Sequence, residues 1–292
     1  MNPDLNSPEF DPPGPKRGPI RVSCRSWVLV ALLAFVTACV TSPTGRRQLM
    51  IVSPDVAIAE SASAYVQTVR ELDDDDKLLD DPALARRVEE ITGRVVAAAV
   101  QRFPHTADWQ WSVALVDEPE TVNAWCMAGG RMAVYSGLIE RLALTDDEFA
   151  HIMGHEVSHA LANHTAERMS LALLTQLGVA VAARDRDGNN PAALSAAALA
   201  AQVAITLPNS RTAESEADRM GMELAVRAGY DPSGAVSVWS KMEALGESRP
   251  PQFLSSHPSP DNRRAELAAL VEQMGPLAPA SPPQPYPIAI VN

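Results

Sequence analysis

His155-Glu156-Val157-Ser158-His159 carries the most explicit chemistry in this chain. On a helix, its two histidines stand four residues apart on one face, so two imidazole nitrogens can share one metal ion. Glu156, beside the first histidine, is then placed to reach a water on that metal and not the metal itself. A peptidase zinc needs a third protein ligand and an open fourth position. Glu214-Ser215-Glu216-Ala217-Asp218 places Glu214 and Asp218 at i and i+4, so one carboxylate can reach the metal while the other accepts a histidine Nδ1–H; Glu216 points elsewhere. In such a centre zinc acidifies water toward a pKa of about 7. Glu156 takes its proton and returns it to the leaving amine, and the carbonyl becomes an oxyanion that needs a further donor.

Two crossing helices must position these groups. Thr145 and Glu148 form a capping box that opens a helix over about 146–163. Five dipeptides, Ser53-Pro54, Asp81-Pro82, Asn190-Pro191, Asp231-Pro232 and Ser259-Pro260, set a capping residue before a proline. They predict helices over about 54–72, 82–102, 191–206, 232–245 and 260–274, with Gly246 and Gly275 as stops. A further helix over about 210–228, closing at Gly229, carries the carboxylates. Trp109–Val116 and Arg131–Tyr135 alternate apolar and polar residues around turn signals such as Gly129-Gly130 and predict a small β-sheet. The fold class is therefore α+β, mostly helical. After Gly275 the proline-rich tail 276–292 is expected to be extended and largely disordered.

At 292 residues with 46% apolar content the chain can bury one catalytic-size core. A formal net charge of −12 leaves no basic stripe for phosphates, which argues against nucleic acid as a partner. The acidic run Asp73–Asp76 reads as a solvated loop, and the apolar stretches Leu171–Ala183 and 192–204 are too short to span a membrane, so they read as core. Three cysteines, Cys24, Cys39 and Cys126, cannot form a disulfide framework.

The N-terminus reads as an address. Arg17, Arg21 and Arg25 precede the apolar run Trp27–Val36, too short for a hydrocarbon core of roughly 30 Å, and so a signal-peptide core. Val36-Thr37-Ala38-Cys39 resembles a bacterial lipobox, making residues 1–38 the signal and Cys39 the lipidated first residue of the mature chain. Val40 after that cysteine implies the outer membrane in the enterobacterial sorting pattern. Asp4, Glu9 and Asp11 are unlike a basic n-region, and Val22 is an alternative start.

Further segments join the histidine motif in a resemblance. Thr44-Gly45-Arg46-Arg47-Gln48, Asn123 to Gly130, Gly154 to His159, Ser210-Arg211 with Glu214 to Gly221, and Ser256-His257-Pro258 resemble, in order from about residue 43 to 264, gluzincin metallopeptidases. The group is the one containing the HtpX-like heat-shock proteases and the prenyl-protein endoproteases, and within it the periplasmic lipoprotein branch. The resemblance implies a zincin-like peptidase domain over 39–275 and one zinc ion on His155, His159 and Glu214, with Asp218 behind a ligand. It also implies unfolded or misassembled envelope proteins as substrates, with the outer-membrane assembly machinery as a possible partner. His257 is then either the second oxyanion donor or, as in that branch, a fourth zinc ligand that keeps the enzyme latent. Arg211 is a weaker candidate for reaching the site. The strand Arg131–Tyr135 resembles the edge strand on which such peptidases align substrate through backbone hydrogen bonds.

Trp125, Cys126, His151 and Asn209 depart from the family pattern and bear on substrate preference. His151 is expected beside the metal without binding it, His164 at the end of the active-site helix and His105 in a loop. A rival reading is a zinc-stabilised, chaperone-like lipoprotein that holds envelope proteins without cutting them; it needs no general base. A membrane-embedded prenyl-protein endoprotease is a second rival, opposed by the lack of long apolar spans.

Overall fold

The computed structural model describes residues 39–184, 211–245, 252–257 and 262–292. The expected signal segment 1–38, the helix over 191–206 and the stop at Gly246 lie outside the described residues.

Strands β1 (Cys39–Thr41) and β2 (Arg47–Leu49) form an antiparallel hairpin with Cys39 opposite Leu49. Helices α1 (Pro54–Asp74) and α2 (Pro82–Arg102) follow. Ser53 and Asp81 cap them by accepting backbone N–H groups of the first turn, with proline at N1, as the dipeptides predict. Asp73 and Asp74 complete α1, and the rest of the acidic run is an exposed turn.

Next come β3 (Ser112–Val116), β4 (Ala124–Met127), β5 (Arg131–Tyr135) and the short α3 (Ser136–Arg141). Helix α4 (Asp146–Leu161), which carries the two histidines of the motif, opens on the full capping box, in which Thr145 and Glu148 satisfy each other's backbone N–H, an arrangement worth about 1 kcal/mol. It ends before Asn163, whose φ of 56° breaks the helix in a conformation asparagine tolerates. His164 therefore opens α5 (His164–Arg184) and does not finish α4, a correction to its expected place. Residues 211–227 form α6, followed by α7 (Ser233–Leu245), α8 (Gln252–Ser256), α9 (Arg263–Met274) and β6 (Ala289–Val291). Asn262, not Ser259, precedes the first residue of α9.

The main sheet has the order β4-β5-β3-β6, with β5 and β6 parallel to β3 and β4 antiparallel to β5. Arg131–Tyr135 is thus an interior strand, and the edge strands of the sheet are β4 and β6. Gly129 and Gly130, at φ 86° and 83°, fold the chain back tightly enough to pair a four-residue strand too short for its alternation to register in the sequence.

The tail 276–292 also departs from expectation. It is extended, but it packs: Tyr286 N–H donates to Gly93 O at 2.9 Å, Pro285 lies against Gly93 where a Cβ would meet it at 2.9 Å, and β6 pairs with β3. Prolines already fix much of this backbone, so ordering it costs little entropy, and the unpaired side of β3 supplies the hydrogen bonds.

The main core lies between the sheet, α2, α4, α6 and α7, with Phe149, Met153, Leu138, Met222 and Met242 fully buried. Helices α4 and α6 cross with backbones touching: a Cβ on Gly154 would stand 2.5 Å from Gly221 O, and one on Gly221 2.6 Å from His155 N. Only glycine at both positions permits that approach, and it brings the two helices close enough for their polar side chains to meet. No helix among the described residues is long and apolar enough to cross a membrane. The mostly helical α+β fold with a small sheet stands as expected.

Candidate metal centre

The α4–α6 crossing brings His155, His159, Glu214 and His257 together, all buried, with one ligand atom from each within 4.8 Å of the others. His155 Nε2 and His159 Nε2 are 3.1 Å apart, and Glu214 Oε2 and Oε1 lie 3.3 Å and 3.5 Å from them respectively. His257 Nδ1 completes the group, 3.1 Å from Glu214 Oε2 and 3.3 Å from His155 Nε2. It is held by its own backbone N–H to Phe253 O and by stacking on the Phe253 ring at 4.4 Å. Three ring nitrogens and a carboxylate converge closely enough to hold one cation, and with the nitrogens facing it deprotonated this donor set suits zinc.

The two α4 histidines are supported differently. His155 Nδ1 lies 3.0 Å from Asp218 Oδ1, the i+4 partner of Glu214, as the spacing predicts. Behind Asp218 stands Arg263, which donates to it and lies over the Trp239 ring at 3.5 Å. His159 Nδ1 instead meets His164 Nδ1 at 2.8 Å, and His164 Nε2 meets Glu216 Oε2 at 3.1 Å. Glu216 leaves the ligand cluster, as its place on the helix requires, but its carboxylate is buried and accepts from Arg46 Nε and from the Ser42 and Thr44 hydroxyls. Arg46 also forks onto Glu167 at 2.8 Å and 2.6 Å.

Electrostatics follow this wiring. Burial alone would lower the His155 pKa, but Asp218 and Glu214 raise it to about 9, while burial and the neighbouring His155 charge push His159 well below its ordinary value. Burial opposes ionisation of Glu214 and is overcome by hydrogen bonds from His155 and His257, which hold its carboxyl far below the carboxylate range. Burial raises the pKa of Glu156, with His257 and His155 partly offsetting it. Glu156 is 2% exposed, accepts from the Cys126 backbone N–H of β4, and its Oε1 has no hydrogen-bond partner; His257 Nε2 stands 3.3 Å away. A buried carboxylate with a raised pKa and an oxygen that makes no hydrogen bond of good geometry, next to a cluster of metal-type donors, has the properties of a general base.

Other expected residues lie elsewhere. His151 is buried with Nε2 2.8 Å from Asp231 O and takes no part in the cluster. Arg211 is exposed at the start of α6, His105 is exposed in a short 3-10 turn, and Cys39 is exposed in β1. Sequence reasoning missed His164 and Arg263 as supporting residues. His164 sits five residues after His159, off any helical face, and only the break at Asn163 turns it back.

A profile of the family described as Peptidase family M48 matches residues 82–271, more than half of the chain. The chain belongs to Peptidase family M48. Among similar members, "Metalloendopeptidase OMA1, mitochondrial" of Bos taurus is 30% identical over 269 residues, covering 85% of this chain and 49% of that protein. "Beta-barrel assembly-enhancing protease" of Escherichia coli (strain K12) is 28% identical over 221 residues, 72% of this chain and 43% of that one. "Mitochondrial metalloendopeptidase OMA1" of Arabidopsis thaliana is 36% identical over 167 residues, 56% of this chain and 32% of its own. The chain spans about half the length of the first two. M48 membership makes it a metallopeptidase by family, and the His155–His159–Glu214–His257 cluster is where a metal fits.

Proposed function

We propose that this M48 member is a zinc endopeptidase of the HtpX-like and prenyl-protein-endoprotease group, in its periplasmic lipoprotein branch. It is anchored through lipidated Cys39 at the bacterial outer membrane and cuts unfolded or misassembled envelope proteins. One observation carries the catalytic part: His155, His159 and Glu214 present their ligand atoms to one point, with buried Glu156 beside it, its Oε1 facing His257 Nε2 at 3.3 Å. When bound, zinc supplies a Lewis acid for the scissile carbonyl and acidifies water. Glu156 takes the proton and hands it to the leaving amine, and Asp218 holds His155 in the orientation that serves the metal.

An extended substrate pairs along the edge strand β4, whose Cys126 N–H holds Glu156. An open groove of about 430 Å³, lined by Trp125, Met127, Glu60 and Arg168, runs beside that edge. Backbone pairing gives affinity with little sequence readout, which suits unfolded chains. The relative named as a beta-barrel assembly-enhancing protease supports a part in the assembly of β-barrel proteins. His257 offers a fourth donor where a catalytic zinc keeps a position open, and its other nitrogen faces Glu156, which supports the latent role over that of oxyanion donor.

The test is cleavage of an unfolded polypeptide by the zinc-loaded chain, by Glu156→Gln and by His257→Ala, with zinc content measured in each. The expected result is one zinc per chain in all three, cleavage reduced by about 10²- to 10⁴-fold in Glu156→Gln, and faster cleavage in His257→Ala. Bound zinc without cleavage by any variant, His257→Ala included, favours the holding-protein reading.

A further inference from the structure

We propose that His164, backed by Glu216 and the hairpin residue Arg46, fixes His159 as a metal ligand, so that metal retention depends on the docking of the β1–β2 hairpin. This rests on the metal-centre reading above.

The direction of each hydrogen bond follows from the end of the chain. The Glu216 carboxylate meets donors only: Arg46 Nε at 2.7 Å, the Ser42 and Thr44 hydroxyls, and His164 Nε2 at 3.1 Å. As a neutral imidazole, His164 must then carry its one proton on Nε2, which leaves its Nδ1 a bare acceptor. Its partner at 2.8 Å, His159 Nδ1, must donate, so His159 is the tautomer whose Nε2 lone pair is free. That Nε2 is the atom facing His155 and Glu214. The wrong tautomer would present an N–H to the metal position.

His164 is needed as an intermediary because of helix geometry. Glu216 lies about 200° round α6 from Glu214 and cannot reach the ligand cluster itself. The imidazole of His164, turned inward by the break at Asn163, spans the gap with an acceptor on one side and a donor on the other. Three of the groups fixing Glu216 belong to residues 42–46, directly after Cys39, and Gln48 of the same hairpin donates to Ala162 O at 2.7 Å, in the link between α4 and α5. The segment nearest the proposed lipid anchor is thereby wired to a metal ligand in four residues: Arg46, Glu216, His164 and His159.

The experiment measures zinc affinity of the full chain by competition with a chromophoric chelator, and the visible absorption of the cobalt-substituted protein. The variants are His164→Leu, His164→Asn, Glu216→Gln, Arg46→Gln and His155→Ala. His164→Leu and Glu216→Gln are expected to weaken zinc binding by about 10- to 100-fold and to alter the cobalt spectrum, with Arg46→Gln smaller in the same direction. Glu216→Gln preserves side-chain volume, which guards against a folding defect as the cause. His164→Asn, whose amide oxygen can accept where Nδ1 did, should recover much of the loss. Wild-type affinity and spectrum in His164→Leu and Glu216→Gln, with metal lost in His155→Ala, overturns the proposal and leaves the centre standing. So does His164→Asn behaving no better than His164→Leu, which reduces the residue to packing. Wild-type binding by His155→Ala overturns the metal centre itself and the proposed function with it.

Discussion

The two histidines of α4 sit one turn apart and face the same donors, yet the protein supports them by different means. His155 rests directly on Asp218, with Arg263 and Trp239 behind it, all from the second half of the chain. His159 rests on His164, then Glu216, then Arg46, so its support ends in the N-terminal hairpin. Both arms start from α6 carboxylates two residues apart and both end in an arginine. What differs is the helix face: Asp218 shares that of Glu214 and reaches the cluster, whereas Glu216 faces the hairpin and needs an intermediary. A direct arm is compact and enclosed; a relayed arm couples the site to a distant segment.

The arginines offer the sharpest contrast. Arg263 is only 2% exposed at its side chain and Arg46 17%. Removing one partner of a buried ion pair strands a charge and costs about 3–5 kcal/mol, a penalty that water access reduces. In urea unfolding, Arg263→Met should therefore destabilise by about 3–5 kcal/mol, whereas Arg46→Met strands Glu167 and Glu216, themselves 3% and 2% exposed, and should cost less to the extent that water follows the vacated arginine site to them. Equal losses would mean that the two arms are not distinct in burial.

A smaller effect separates the arms by the sign of their pH dependence in chelator-treated protein. His155 has its folded pKa raised from 6.5 to about 9, so its contribution is full below 6.5 and is lost as pH rises through 9. Burial raises the Glu216 pKa, but His164, Ser42, Thr44 and Arg46 together bring it from 4.5 down to about 2. Its contribution is full above 4.5 and is lost as pH falls toward 2. Unfolding midpoints measured across pH should show both limbs. Asp218→Asn should flatten the alkaline limb and Glu216→Gln the acid limb; the reverse assignment would contradict the wiring.

The same contrast explains what could be read beforehand. The direct arm follows from two local rules, i and i+4 on a helix and a carboxylate on a ligand's second nitrogen, so Asp218 was legible from spacing. The relayed arm depends on a left-handed Asn163 and on a hairpin more than a hundred residues away, neither of which leaves a periodic signal. Capped helices were legible because Ser-Pro and Asp-Pro fix both a side-chain acceptor and a backbone angle. Strand order was not: β4 has four residues and β6 three, and their pairing is set by the long-range geometry of β3. Tail order was missed for the same reason, since Gly93 and the open side of β3 hold it, and nothing within 276–292 does.

The most direct test of the centre on which both arms converge is zinc-edge X-ray absorption of the loaded chain, beside His257→Ala. The structure predicts a first shell of nitrogen and oxygen, with imidazole scattering from His155, His159 and His257 and one carboxylate from Glu214. It also predicts one imidazole fewer in His257→Ala. A sulfur in the shell, or an imidazole count unchanged by that substitution, would contradict it.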